Sequence, residues 1–185
     1  MTTIKSVLLA GFAAVAMTSA AQAADKNFDG AYVGAELGYN KFKFEDGLKD
    51  TGLYFGGVAG YRVQFDNDLV IGLEGRFGDT TADGDLTDAI EVKAGRQLGV
   101  DASIGLALGE NKDFLAFALV GYSNAKVTGT IADVTESATG DGYRLGLGGE
   151  YALTENVSVR VTGVLADYEG RAGDVQVNAG VLFRF

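Results

Sequence analysis

The sequence predicts an all-β fold in which eight antiparallel strands close into an up-and-down barrel. Three observations support this prediction. From Gly30 onward, apolar and polar residues alternate with a period of two, which is the pattern of a strand with two different faces. Polar turns divide the alternation into eight segments. Short turns and longer connections also follow one another in alternation, as in a barrel whose consecutive strands are neighbours.

The eight segments cover most of the chain after Gly30. In the first segment, Ala31, Val33 and Leu37 fall on one face, while Glu36 and Asn40 fall on the other. The same alternation predicts strands at residues 31–40, 53–65, 69–78, 90–108, 114–127, 142–153, 157–165 and 175–185. Both faces of the fifth strand are nearly apolar, so the alternation does not decide there which face is which.

The connections between the segments are of two kinds. Short polar turns are predicted at residues 66–68, 110–113 and 154–156. The other four connections are longer and more acidic, among them loops at residues 79–88, 131–139 and 169–173. Short turns on one side and longer loops on the other are typical of outer-membrane barrels, and eight strands place both termini on the short-turn side.

The N-terminal segment predicts a secretory signal peptide over residues 1–23. Lys5 precedes an apolar run at residues 7–17, which is too short to cross a bilayer as a helix. Ala21 and Ala23 flank Gln22 in a small-x-small cleavage site, and we expect cleavage after Ala23. The alternative is an amphipathic or buried N-terminal helix. Residues 24–185 would then form the mature barrel domain, and no other segment approaches the ~20 apolar residues of a transmembrane helix.

The polar face of the strands distinguishes a membrane barrel from a water-soluble one. A soluble sheet usually covers its outer face with Lys, Glu and Thr, whereas glycine there is unfavourable. Here glycines alternate with single charges of both signs, which suits a narrow interior where long side chains need room and buried charges need partners. The predicted interior charge network consists of Glu36, Arg62, Glu74, Arg76, Asp101, Arg144, Glu150 and Arg160.

Aromatic residues near the ends of the apolar strips agree with this orientation, because aromatic girdles mark the two interfaces of a membrane barrel. A general preference of aromatic residues for strands is the alternative explanation. The residues concerned are Tyr39, Phe55, Phe65, Phe77, Tyr143, Tyr151, Phe183 and Phe185.

The last strand carries a resemblance to known proteins. Its alternating apolar run ends at Val181, Phe183 and Phe185, and it resembles the C-terminal signal by which the barrel-assembly machinery recognises outer-membrane proteins. With the signal peptide and the first strand Gly-Ala-Tyr-Val-Gly, residues 28–185 resemble the porin family of small outer-membrane barrels, related to the OmpA transmembrane domain and the opacity-type proteins. The resemblance implies a bacterial outer-membrane location and no peptidoglycan-binding domain.

Composition excludes several chemistries. The chain has no Cys and no His, so disulfides, thiolate metal sites and the usual general base are absent. A formal net charge of −10 disfavours a nucleic-acid partner. Four loop acids could attract a divalent cation, but their spacing does not match an EF-hand, so we expect no metal site and no cofactor. These acids are Asp79, Asp83, Asp85 and Asp88.

The sequence therefore predicts a non-enzymatic outer-membrane protein that contributes to envelope integrity or surface interactions. Paired charges would fill its lumen, because eight strands leave room for little more than side chains. A narrow porin-like channel for small solutes or ions is the alternative. The expected partners are outer-membrane lipid, lipopolysaccharide and the barrel-assembly machinery, and we expect a monomer.

Overall fold

The computed structural model describes residues 26–43, 49–81, 83–87, 90–131, 134–168 and 172–185. The predicted signal peptide, with Ala21 and Ala23, lies outside these residues. Nine strands account for most of the described chain: β1 (Gly30–Lys43), β2 (Lys49–Gln64), β3 (Leu69–Thr80), β4 (Asp83–Thr87), β5 (Ile90–Leu108), β6 (Phe114–Ile131), β7 (Val134–Ala152), β8 (Val157–Tyr168) and β9 (Ala172–Arg184). No helix in the described ranges is long and apolar enough to cross a membrane.

Eight of these strands close into a barrel, as predicted. Every pairing is antiparallel, and the sheet runs in the order β3-β2-β1-β9-β8-β7-β6-β5-β4. Pairing of β3 with β5 closes the barrel, with Glu74 opposite Asp101, while the short β4 lies outside the ring and pairs with β5. The first and last barrel strands pair with Tyr32 opposite Arg184. Closure leaves none of the eight barrel strands as a free edge.

The side chains are arranged with polar residues inside and apolar residues outside. Leu37 is 70% exposed and Phe77 is 64% exposed on the outer surface, whereas Glu36 between β1's apolar positions is 2% exposed. Water would not tolerate a continuous apolar surface of this kind, and a bilayer requires it. The structure therefore confirms the inverted orientation that the glycines and mixed charges predicted.

The structure shows which face of β6, the fifth predicted strand, points into the barrel. Leu115, Phe117 and Leu119 point into the barrel and are buried, while Val120 and Tyr122 face outward. The inward residues pack in an apolar cluster at the short-turn end. Its members are Phe28, Val70, Ala107, Leu115, Phe117, Leu119 and Val164.

All three long loops with predicted bounds contain strand residues, the last of them only Ala172 and Gly173 at the start of β9. In the segment predicted as loop 79–88, β3 continues to Thr80 and β4 forms an antiparallel pair with the start of β5. In the segment predicted as loop 131–139, the β6–β7 ladder extends to Ile131 opposite Val134. A strand of 9–11 residues suffices to cross a bilayer, and β5 and β7 have 19 each. Beyond the membrane both faces meet water, so pairing continues there without the apolar alternation that reveals it in sequence.

The three short turns lie where they were predicted. Asp68 and Lys112 adopt left-handed φ values of 66° and 54°, and Gly109 has a φ of 97°. The Lys112 Nζ lies 2.6 Å from the Asp68 Oδ2, which joins two neighbouring turns at this end of the barrel.

Candidate functional site: the barrel interior

All eight predicted interior charges are buried inside the barrel. They form two groups along the lumen. The central network, nearer the long-loop end, contains Glu36, Glu74, Arg76, Asp101, Arg144 and Arg160. The mouth cluster, nearer the short turns, contains Arg62 and Glu150 together with Ser158 and Arg184.

Arg160 and Arg76 hold the central network together across the lumen. The Arg160 guanidinium lies 2.6 Å from the Glu36 carboxylate and 2.5 Å from that of Glu74. Arg76 lies 3.1 Å from Glu74 and places its Nε 2.9 Å from Asp101 Oδ2. Arg144 approaches the other Asp101 oxygen at 3.8 Å. Two arginines therefore connect strands β8, β1, β3 and β5, which restrains the barrel from several sides.

The mouth cluster is built around Glu150. Arg62 Nη1 lies 2.7 Å from Glu150 Oε2, and the Ser158 hydroxyl donates to Oε1 at 2.6 Å. Arg184 approaches the same carboxylate at 3.6 Å. Arg62 also stacks over the ring of Tyr32, with its Cζ 4.4 Å from the ring centroid. The Tyr32 hydroxyl donates to Glu74 at 2.7 Å and so links the two groups.

Two buried charges were missing from the predicted network. Arg184 and Asp174 lie in β9 and are 2% and 3% exposed. With them, the buried charged residues in the described ranges comprise five carboxylates and five arginines, so their formal charges balance. Their positions share the parity of Gln176, Asn178 and Gly180 on the polar face of the last strand, and that parity was the signal that could have identified them.

Glycines make room for these long side chains. A Cβ at Gly180 would lie 2.8 Å from the Glu36 Cγ, and one at Gly72 would lie 2.8 Å from the Arg62 Cγ. A Cβ at Gly121 would overlap the Asp101 carboxylate. The interior glycines are therefore required by the side chains that lie against them.

A short segment before β1, residues 26–29, closes the short-turn mouth. Phe28 in this segment is fully buried, and the Arg184 guanidinium lies 5.1 Å from the centre of the Phe28 ring. The Phe28 backbone N–H donates to the Gln64 side-chain Oε1 at 3.0 Å, and the Gln64 backbone N–H donates to the Asp29 Oδ1 at 2.8 Å. Asn27 donates to the carbonyl of Asn111 across the mouth at 2.8 Å. The alternation begins only at Gly30, which is why it did not reveal this plug.

A salt bridge fixes the start of the mouth segment. The Lys26 ammonium lies 2.9 Å from the Asp66 carboxylate in the β2–β3 turn. The side-chain hydrogen bond from Lys26 lowers the pKa of Asp66 and raises that of Lys26. Asp66 is exposed and Lys26 is partly exposed, so this pair orients the segment and contributes little stability.

The lumen above the central network is lined by buried amide and hydroxyl side chains. Thr80 donates to Asn40 at 3.3 Å, and Asn178 donates to Thr162 at 3.4 Å. From the mouth upward, the described interior therefore consists of an aromatic plug, two charge groups and a polar layer. Among the described residues, no group of three or more Asp or Glu side chains is placed to hold a metal ion. Asp79 lies one residue before the end of β3, whereas the side chains of Asp83, Asp85 and Asp88 lie outside the described set.

The predicted C-terminal signal lies on the outer surface of β9. Val181, Phe183 and Phe185 are about half exposed, and the two phenylalanine rings meet edge to face with their centroids 5.3 Å apart. The Phe185 amide donates to the Ala31 carbonyl at 3.0 Å, so the last residue is still paired with the first strand.

Comparison with known proteins agrees with this geometry. The family model described as outer membrane protein beta-barrel domain matches residues 10–185. The chain belongs to this family of outer-membrane barrels. It is 28% identical over 206 aligned residues to the 25 kDa outer-membrane immunogenic protein of Brucella ovis, with 100% of both chains covered.

Solved outer-membrane barrels share the fold. The Ail protein of Yersinia pestis matches with a TM-score of 0.66 at 18% identity, covering 85% of this chain and 99% of Ail. Neisserial surface protein A matches with a TM-score of 0.62 at 18% identity, covering 85% of this chain and 98% of that one. The N-terminal barrel domain of Pseudomonas aeruginosa OprF matches at 0.56 and 17% identity, with 83% and 97% covered. The predicted fold, family resemblance and outer-membrane location are thus confirmed.

Proposed function

We propose that this outer-membrane barrel is a non-enzymatic, non-conducting protein that contributes to envelope integrity or surface interactions. The observation that carries the proposal is the filled lumen. Phe28 seals the short-turn mouth, and Arg160 crosses the barrel to Glu74 on the opposite wall, where Arg76 also lies against Glu74. An eight-stranded barrel has space for side chains and little else, so these groups occupy the path that a solute would take.

The absence of histidine supports the non-enzymatic part of the proposal. A serine nucleophile normally needs an imidazole base, and the chain has none. Four of the buried carboxylates in the described interior, those of Glu36, Glu74, Asp101 and Glu150, are ion-paired with arginines, which gives them a structural role. A purified, refolded sample should release no product from ester, peptide or phospholipid substrates.

A role in envelope integrity is tested by deleting the gene. Loss of the protein should sensitise cells to detergent and bile salts, and plasmid-borne wild type should restore resistance without changing the uptake of small sugars. Sugar uptake that falls when the gene is deleted and returns with the plasmid would instead favour the narrow channel. Unchanged detergent resistance together with unchanged uptake would leave surface interaction as the function to pursue.

A role at the surface requires the long-loop end to face outward. The chain contains no cysteine, so single cysteines report position without background. A membrane-impermeant maleimide should label Thr135→Cys, near the start of β7, on intact cells. It should label Asn111→Cys, in an exposed short turn, only after the outer membrane is permeabilised. The reverse pattern would contradict this orientation.

Three further features remain part of the proposal. The signal peptide is cleaved after Ala23, the barrel-assembly machinery recognises the strand that ends at Phe185, and the protein acts as a monomer without a nucleic-acid partner. The outward, half-exposed C-terminal phenylalanines support the second of these, because they are available to another protein before the barrel is in lipid.

A further inference from the structure

A trough of about 1140 Å³ lies on the lipid-facing surface of the barrel. Small residues form its floor on three adjacent strands: Ala35 on β1, Gly57 on β2 and Ala179 on β9. Larger apolar side chains border it, among them Phe55 and Phe77. The Phe77 ring lies against Gly57, where a Cβ would come within 2.7 Å of it.

The trough crosses the strands at a slant from one half of the membrane to the other. The strand register places Val161, Ala179, Leu37, Phe55 and Asp79 in one continuous row of cross-strand neighbours. Arg96 on β5 continues this row, because Gly78 pairs with Gln97 beside it. Five steps between strands correspond to a length of roughly 24 Å. Val161 lies near the short-turn end of β8, whereas Arg96 lies toward the long-loop end of β5.

Arg96 is the one cation among the outward residues that line the trough. It is exposed and lies where the β5–β6 ladder shifts by one residue between Ala94 and Gln97, a bulge that can redirect a side chain. Among the described residues, no carboxylate lies within ion-pair distance of its guanidinium. Asp79 is the nearest acid by register, and its Oδ1 accepts the backbone N–H of Thr80 at 2.8 Å.

An exposed arginine at one end of an apolar trough is suited to binding an amphipathic anion. An arginine on the lipid-facing side of a barrel is unfavourable at the bilayer centre and tolerated near the interface, where a phosphate can pair with it. The apolar trough that leads away from Arg96 can seat a hydrocarbon chain. A lipid with a phosphorylated head group supplies both parts in one molecule.

We propose that the trough binds lipid A, the phosphorylated glycolipid of the outer leaflet, with one acyl chain along Ala35, Gly57 and Ala179 and one phosphate on Arg96. This assignment rests on the proposed orientation with the long loops outward, because the position of Arg96 toward that end then lies in the outer leaflet, where lipopolysaccharide is the lipid. This site goes beyond the closed-lumen function, because it lies on the outside of the barrel and does not depend on whether the lumen conducts.

Native mass spectrometry of the delipidated, refolded barrel in detergent tests the site. The probes are bis-phosphorylated lipid A, the same lipid A without phosphates, and phosphatidylglycerol. Arg96→Gln removes the charge and Arg96→Lys retains it. Ala35→Phe fills the floor, and Ala102→Phe adds the same ring to an outward position of β5 outside the trough. Heat-dependent gel mobility establishes that each variant is folded.

The wild type should bind one bis-phosphorylated lipid A, and Arg96→Gln and Ala35→Phe should each weaken this binding about tenfold. Arg96→Lys and Ala102→Phe should bind as the wild type does. Lipid A without its phosphates should bind to Arg96→Gln and to the wild type with the same affinity. Wild-type binding by Arg96→Gln or by Ala35→Phe would overturn the proposal, and so would equal binding of phosphatidylglycerol.

Discussion

Arg160 and Glu36 lie 124 positions apart in the chain and meet inside the barrel at 2.6 Å, although β9 separates their strands. The contact passes over Gly180, and the other arm of the same guanidinium crosses the lumen to Glu74 on the opposite wall. Both side chains are almost fully buried, so each charge depends on the other. Such a pair restrains the barrel and occupies its interior at once.

Removing one partner of this pair should destabilise the barrel strongly. Arg160→Ala leaves the Glu36 and Glu74 carboxylates without their closest cation, and we expect a loss of about 3–5 kcal/mol in the free energy of unfolding. Urea titration followed by gel mobility measures this loss. The exposed turn variant Glu155→Gln is the matched control and should change stability by less than about 0.5 kcal/mol. Equal midpoints for the two variants would refute the role of the network.

The interior glycines should tolerate no side chain. Gly121→Ala forces the Asp101 carboxylate out of its place beside Arg76, and we expect a destabilisation of about 1–3 kcal/mol. Gly163→Ala is the control, because no heavy atom lies within 4 Å of a Cβ built there. Urea midpoints of both variants measure the difference in stability between them. Equal urea midpoints for Gly121→Ala and Gly163→Ala would contradict the close fit of the Asp101 carboxylate against Gly121.

The aromatic plug should contribute both stability and closure. Phe28→Ala removes a fully buried ring from the apolar cluster, which we expect to cost about 3–5 kcal/mol. Phe65→Ala removes a ring of the same size from the outer surface, where it is 45% exposed, and should cost less. Thermal unfolding monitored by circular dichroism compares the two variants. A smaller loss for Phe28→Ala than for Phe65→Ala would contradict a packed plug.

The C-terminal phenylalanine should matter more for assembly than for stability. Phe185→Ala is expected to lower the amount of folded protein in outer-membrane fractions severalfold, whereas refolding of the purified variant into detergent stays close to wild type. Its side chain is outside the barrel, and its backbone bond to Ala31 is unaffected by the substitution. Parallel defects in cells and in detergent would mean that Phe185 acts through stability alone.

The barrel was predictable from sequence because lipid and lumen impose opposite demands on alternate residues. Leu37 beside Glu36 carries that signal directly, as do the glycines beside Asp101 and Glu150. Where both faces are apolar, as at Phe117, only the packed structure decides the orientation. Extension of β6 and β7 beyond the membrane carries no alternation because water meets both faces there.

The partners within the charge network could not be derived from sequence. Which acid meets which arginine depends on strand register and on contacts across the lumen, and Arg160 reaches Glu36 past an intervening strand. The Phe28 plug precedes the first strand, so no periodic pattern includes it. Arg184 lay on the predicted polar face, and Asp174 has the same parity one residue before the predicted strand, so parity followed to both ends of β9 identifies them.

Single-channel recording in planar bilayers tests the closed lumen most directly. The purified, refolded wild type should give no discrete, reproducible conductance steps, whereas an open porin recorded in a separate bilayer as a positive control should give them. Phe28→Ala should remain closed as well, because the central network above the plug still crosses the barrel. Steady openings of uniform size in the wild type would contradict the filled interior and favour the narrow channel.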